Sequence, residues 1–263
     1  MKLVKFSSLL TYVGIPLVGA SVALNFFLYG QLTKYYVELN QVRLDPLGLS
    51  YYNQDLKLSE KGDTKRVVIF GDSRAEDWTA PNLEGYEFIN RGVGGQTSAQ
   101  AIQRFESHVG ELDPDIVVIQ VGVNDLKAIP LMPESRNIII DLCRSNIRQM
   151  VEKSQALGAV VIVTTILPVG EVPLIRQPVW SDDIAQAINE VNGYIGSLAD
   201  DQVMIFDGFS AIADGEGLLS ENHRKDELHL NEQGYTRLNK AFVEFFNTAD
   251  IPLTPAEGEE QTS

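Results

Sequence analysis

"IVVIQV", residues 116–121, and "VVIVTT", residues 160–165, are the stretches on which the fold class turns. Both are almost unbroken runs of apolar and β-branched side chains, too short for buried helices and rich in strand formers. Strands read this way when both faces of their sheet are covered. Val67–Phe70, Tyr86–Asn90 and Val203–Phe206 are weaker strand candidates. Helical periods lie between them. Ile102, Phe105 and Val109 mark one face of a helix starting near Thr97; Leu142, Ile147, Met150, Val151 and Leu157 mark a second. Ile184, Ile188, Val191, Ile195 and Leu198 mark a third, and a last helix from about Asn231 carries Leu238, Phe242, Phe245 and Phe246. Alternating strands and helices with right-handed crossovers predict a three-layer α/β/α sandwich on a doubly wound, five-stranded parallel sheet, over residues 65–250.

The chain has 263 residues, 44% of them hydrophobic, and a formal net charge of −15. That charge argues against nucleic acid as a partner, because such binding needs a basic surface to displace counterions. The one cysteine, Cys143, allows no intrachain disulfide. Residues 9–30, "LLTYVGIPLVGASVALNFFLYG", carry no charge. About 20 such residues cross a bilayer as a helix. Lys2 and Lys5 place residues 1–8 in the cytoplasm and the rest of the chain outside it, against a weaker opposing pull from Lys34. A cleaved signal peptide is the alternative, with Ala20 and Ala23 as small residues for a peptidase. The run exceeds the usual signal core of about 7–15 residues. No cysteine follows it for lipid attachment. Residues 31–64 read as a stalk or partly helical linker, and 251–263 as a disordered acidic tail.

In a doubly wound sheet, ligands lie beyond the carboxyl ends of the strands. Four polar motifs fall there: Gly71-Asp72-Ser73, "NRGVGGQTS" (90–98), "VGVNDL" (121–126) and "DELHLNEQG" (226–234). Together they suit acyl transfer. Ser73 is a weak nucleophile alone and needs a base. His229 can serve, with Asp226 three residues earlier fixing its tautomer. The Ser73 N–H, a glycine N–H near Gly94–Gly95 and the Asn124 amide can receive the oxyanion. The same residues admit plainer readings: Ser73 as a helix cap, Asn124 as a turn residue beside Asp125, and Asp226 with His229 as a surface pair.

"FGDSR", "GVGGQT", "GVND" and "DELH" resemble, in order, the four blocks of the SGNH, or GDSL-type, hydrolase superfamily over roughly residues 66–246. The resemblance implies a flavodoxin-like sandwich and a serine ester hydrolase without a cofactor. It makes Ser73 the nucleophile, Asp226 and His229 its triad partners, and Ser73, Gly95 and Asn124 the oxyanion hole. Arg74 stands where the name-giving leucine usually does. An O-acyl transferase or deacetylase acting on cell-envelope polysaccharide shares these blocks, and a non-catalytic binding protein on the same fold is a further alternative. The substrate is a small-molecule, lipid or polysaccharide ester.

Other features are weaker. "GVGGQT" lacks the third glycine of a dinucleotide fingerprint, and three histidines with one cysteine show no metal-ligand spacing. Arg74, Arg91 and Arg224 beside the motifs either receive an anionic substrate group or pair with nearby acids. Arg74, Gly94 and Trp180 are the candidate substrate contacts. Trp180 belongs to a proline-containing loop, 167–180, which with 127–137 is expected to set specificity. Leu174, Ile175 and Val179 would join it in an apolar wall.

Overall fold

The computed structural model describes residues 3–52, 64–249 and 251. The chain divides into two units, Met1–Pro46 and Leu47–Ser263.

The first unit is one helix, α1 (Leu3–Leu44). Its Tyr12–Leu44 portion is long and apolar enough to cross a membrane. Phe26, Phe27, Leu28 and Tyr29 are exposed at consecutive positions, so the helix is apolar all round rather than striped. The helix continues through residues 31–44, the first part of the stretch read as a stalk or partly helical linker. Thr33 and Asn40 donate from their side chains to the carbonyls of Tyr29 and Tyr36, one turn back. It stops at Leu44, before Asp45-Pro46, because the residue preceding proline is pushed out of the α region.

The second unit holds five parallel strands: β1 (Lys65–Gly71), β2 (Tyr86–Gly92), β3 (Ile116–Gln120), β4 (Val160–Thr164) and β5 (Val203–Phe206). Their order is β2-β1-β3-β4-β5, the flavodoxin-like order. The connecting helices are α2 (Ser73–Glu76), α3 (Ser98–Gln103), α4 (Phe105–His108), α5 (Val123–Leu126), α6 (Arg136–Ala156), α7 (Asp183–Gly196), α8 (Gly208–Ile212) and α9 (Glu232–Thr248). The chain leaves β1 for one neighbour and reaches β3 on the other side, so the crevice opens between the ends of β1 and β3. Gly71 and Gln120 are register partners at that edge, shortly before Ser73 on α2 and Asn124 on α5.

Alternate residues of each strand feed two cores. Val68, Phe70, Val117, Ile119, Val161 and Val163 pack with Ile140, Ile147 and Met150 of α6 and with Ile184, Ile188 and Val191 of α7. Val67, Ile69, Ile116, Val118 and Ile162 pack with Trp78, Phe206, Leu238, Phe242 and Phe246. Two helical expectations shift. On α6 the buried stripe runs through Ile140, Cys143 and Ile147, leaving Leu142 and Leu157 exposed. The helix expected from Thr97 through Val109 is two short ones, parted at Arg104, whose guanidinium is drawn inward to main-chain carbonyls. Of the tail, Ile251 packs on the second core, and the remainder lies outside the described residues.

Phe242 is fully buried, with the rings of Trp78, Phe206 and Phe246 at 5.3, 5.2 and 5.6 Å. Phe242→Ala is expected to cost about 3–5 kcal/mol of stability, read as a lowered urea midpoint.

Candidate active site

β1 runs straight into a cap. The Asp72 side chain accepts the Arg74 N–H at 2.9 Å and starts α2, leaving Ser73 on its first turn. Ser73 Oγ stands 3.0 Å from His229 Nε2, across 156 positions of sequence. His229 Nδ1 stands 2.8 Å from Asp226 Oδ2, and Asp226 Oδ1 also accepts the backbone N–H of Leu228 and of His229, each at 2.8 Å. Burial pushes the Asp226 carboxyl up, but the two backbone donors and the imidazole outweigh it, so its pKa lies below the ordinary value. An ionised carboxylate only accepts, so Nδ1 carries the imidazole proton and Nε2 faces the serine as an acceptor.

The loop after β2 forms the facing wall. Gly95 takes φ +74°, a left-handed conformation that requires glycine, and open space surrounds the place a side chain would fill. Backbone conformation is thus the reason for glycine there. A Cβ on Gly94 would lie 2.7 Å from Glu76 Oε2 and 4.0 Å from Ser73 Cβ, so Gly94 borders Ser73. Asn124, on α5 after β3, donates from Nδ2 to Gln96 O at 2.9 Å. One of its two amide hydrogens is used, and the other remains for a ligand. Asp125 accepts from Ser98 N at 2.8 Å and Ser98 Oγ at 2.6 Å, with Asn146 donating to the same hydroxyl at 3.0 Å. Asn124 and Asp125 therefore fasten both ends of the 96–98 segment.

Arg74 does not line the crevice. It is 1% exposed, and its guanidinium donates to Leu228 O at 2.8 Å, Leu167 O at 2.6 Å and Pro168 O at 3.0 Å. The anion-receiving expectation fails because every nitrogen of the fork already serves a main-chain carbonyl. Arg224 pairs with Glu171 at 3.0 Å, and Arg91 lies over the Tyr52 ring. Arg104, which the sequence reading passed over, donates to Gly71 O at 2.8 Å, Arg91 O at 2.9 Å and Gln96 Oε1 at 2.5 Å. Its signal was a charge within the Ala101–Phe105–His108 stripe, all three of which are buried.

Trp180 is not brought to the nucleophile either. It lines a cavity of about 540 Å³ with Val169, Val172 and Leu218, and neither Ser73 nor His229 borders that space. Leu174 and Ile175 of the expected wall are 82% and 85% exposed. A second cavity of about 580 Å³ borders Asp226 but neither Ser73 nor His229, and Glu171, Val172, Pro173, Glu221, Arg224 and Lys225 also line it. Among the described residues no cluster of His, Cys, Asp and Glu is arranged to hold a metal.

A family model for the GDSL-like lipase/acylhydrolase family matches residues 61–237, more than half of the chain. The protein belongs to that family. A candidate acylhydrolase from Bacteroides fragilis is 28% identical, with a TM-score of 0.61 over 74% of this chain and 92% of that one. An acetyl xylan esterase shares the fold at 24% identity, with a TM-score of 0.55 over 68% of this chain and 98% of that one. A Bacillus subtilis (strain 168) protein named uncharacterized lipoprotein YqeF is 28% identical over 122 residues, 40% of this chain. The match spans about half, 49%, of that relative's length.

Two measurements test the buried charges. Asp72 is fully buried, and burial, opposed by Arg74, raises its pKa from 3.8 to about 6. Between those values the folded chain holds more protons than the unfolded one, so this group's contribution to stability falls as pH rises to about 6. Asp72→Asn keeps an acceptor for the cap. It is expected to raise Tm relative to wild type at pH 8, with the difference shrinking toward pH 4. Arg74→Lys keeps the charge but loses the fork. It is expected to lower kcat about ten-fold or more through displacement of the His229 loop, while the ratio of rates on neutral and anionic esters stays unchanged.

Proposed function

We propose that this protein is a serine ester hydrolase tethered to a membrane with its catalytic unit outside the cytoplasm. The observation that carries the reading is the continuous Ser73–His229–Asp226 chain of contacts at 3.0 and 2.8 Å. Family membership supports it independently.

In this mechanism Ser73 Oγ attacks the ester carbonyl as its proton passes to His229 Nε2. The carbonyl π electrons move onto oxygen, and the N–H groups of Ser73 and Gly95 and the free hydrogen of Asn124 Nδ2 donate hydrogen bonds to the oxyanion that results. The intermediate collapses, the bond to the alkoxy oxygen breaks, and His229 returns the proton to the departing alcohol. Water then repeats the sequence on acyl-Ser73, with His229 as its base, and releases the acid. Asp226 stays ionised and stabilises the transient imidazolium. Every proton is carried by this chain's own side chains.

The cavity beside Asp226 sets charged side chains next to Val172 and Pro173, which offers hydrogen-bond partners to the alcohol part of an acylated sugar or polysaccharide. In this reading residues 9–30 cross the bilayer, which takes about 20 apolar residues. Residues 31–44 carry the helix on beyond it, and residues 65–250 form the hydrolase domain. Cys143 is buried and lies in the catalytic unit, so tethering falls to the helix.

Labelling the full chain with a fluorophosphonate probe tests the reading. Wild type is expected to label and Ser73→Ala is not, while Asn124→Ala keeps its fold and loses about 10²–10³ in kcat on an acetyl ester. A folded wild type that neither labels nor hydrolyses esters overturns the assignment.

A further inference from the structure

The segment Leu47–Tyr52 follows α1 in sequence, lies ahead of the matched family span, which begins at residue 61, and yet belongs to the catalytic unit. Its contacts converge on one place. Leu47 O accepts from Gln96 Nε2 at 2.7 Å. Gly48, at φ +68°, presses close enough that a Cβ there would meet Val93 and the Gln96 amide at 3.1 Å. The Tyr51 hydroxyl donates to the Glu76 carboxylate, and the Tyr52 hydroxyl donates to Gly92 O at the end of β2. The Tyr52 ring lies under the Arg91 guanidinium at 4.6 Å and meets His108 edge-on at 5.7 Å.

These partners bound the 93–97 loop on both sides. Gln96 is its node. Its Oε1 is held by Arg104 and its Nε2 by Leu47, while its carbonyl holds the Asn124 amide. Glu76 is one turn beyond Ser73 on α2, and its carboxylate fills the space against Gly94. Fixing the Gln96 side chain and Glu76 therefore fixes where the Gly95 N–H and Asn124 Nδ2 point.

We propose that Leu47–Tyr52 is a strap that completes the candidate active site, with Tyr52 its principal positioning residue and Tyr51 its tie to α2. The proposal rests on the hydrolase reading for its catalytic consequence alone. The strap's hold on the loop is a separate, structural claim. The unit needed for full activity then starts at Leu47 rather than at β1. Tyr52 touches no substrate and acts through the loop.

The test is hydrogen exchange by mass spectrometry on the full chain in detergent micelles, paired with hydrolysis of p-nitrophenyl acetate, for wild type, Tyr52→Ala, Tyr52→Phe and Ser73→Ala. Tyr52→Ala is expected to speed exchange over residues 92–97 about ten-fold while β3 and β4 stay protected. Its kcat is expected to fall about ten-fold with KM within about two-fold, since a misdirected oxyanion donor costs rate rather than binding. Tyr52→Phe keeps the ring under Arg91 and restores most of the protection and rate. Unchanged exchange over 92–97 overturns the strap, as does uniformly faster exchange with kcat unaltered, which would mark a general stabiliser. If wild type hydrolyses no ester, or Ser73→Ala remains active, the hydrolase reading falls while the exchange result still judges the strap.

Discussion

Arg74 carries a full positive charge into a place where water cannot follow, and the meeting of Ser73 and His229 depends on how that charge is satisfied. Burying a cation is costly unless its donors are paired. Here the guanidinium reaches Leu228, Leu167 and Pro168, and the residue's own N–H and carbonyl are taken by Asp72 and Tyr235. Leu228 precedes His229. One residue thus ties the turn after β1 to the exit of β4 and to the loop bearing His229 through its side chain, and to α9 through its backbone carbonyl. Lysine cannot substitute for it, since a point charge lacks the planar fork. The nearby Asp72 carboxylate favours the cation, and burial opposes ionisation of both.

A second buried arginine plays the corresponding part on the opposite wall. Arg104 reaches the carbonyls ending β1 and β2 and the side chain of Gln96, so the loop bearing Gly95 is fastened to the sheet from beneath. Its pKa is lowered to about 10 by burial, which still leaves it charged at neutral pH. Asn124 and Asp125 hold the same loop from β3's side. The strap at Leu47–Tyr52 holds it from outside. In the proposed hydrolase such redundancy would keep the N–H donors aimed while charge develops on a substrate, because reorientation during reaction forfeits the advantage over water.

The sheet order makes this economy of fastening possible. Reversal between β1 and β3 leaves a crevice at their carboxyl ends, and the residues after those strands face it from either side. The loop before α9 brings His229 in from the far end of the chain. Polar side chains at this edge avoid the cores, where alternate strand residues already occupy both faces.

Local chemistry made much of this legible in the sequence. Runs such as "IVVIQV" admit few structures except doubly covered strands, and Gly71-Asp72-Ser73 and Asp226–His229 carry their spacing within one turn, where cap and tautomer geometry are decided. An all-round apolar helix is likewise a property of consecutive residues, and the polar residues after Gly30, good helix formers themselves, carry it on to Leu44. Partnership across the fold was not legible. Arg74, adjacent to the nucleophile, looked like a substrate contact and is a buried fastener; Trp180 looked like a pocket wall and faces another cavity. Tyr51 and Tyr52, in what read as a stalk, lie against Glu76 and Gly92. The physical reason is common to all of them. A hydrogen-bonding side chain takes its role from whichever carbonyl or carboxylate the folded chain sets within about 3 Å of it, and those partners stand tens of residues away in sequence.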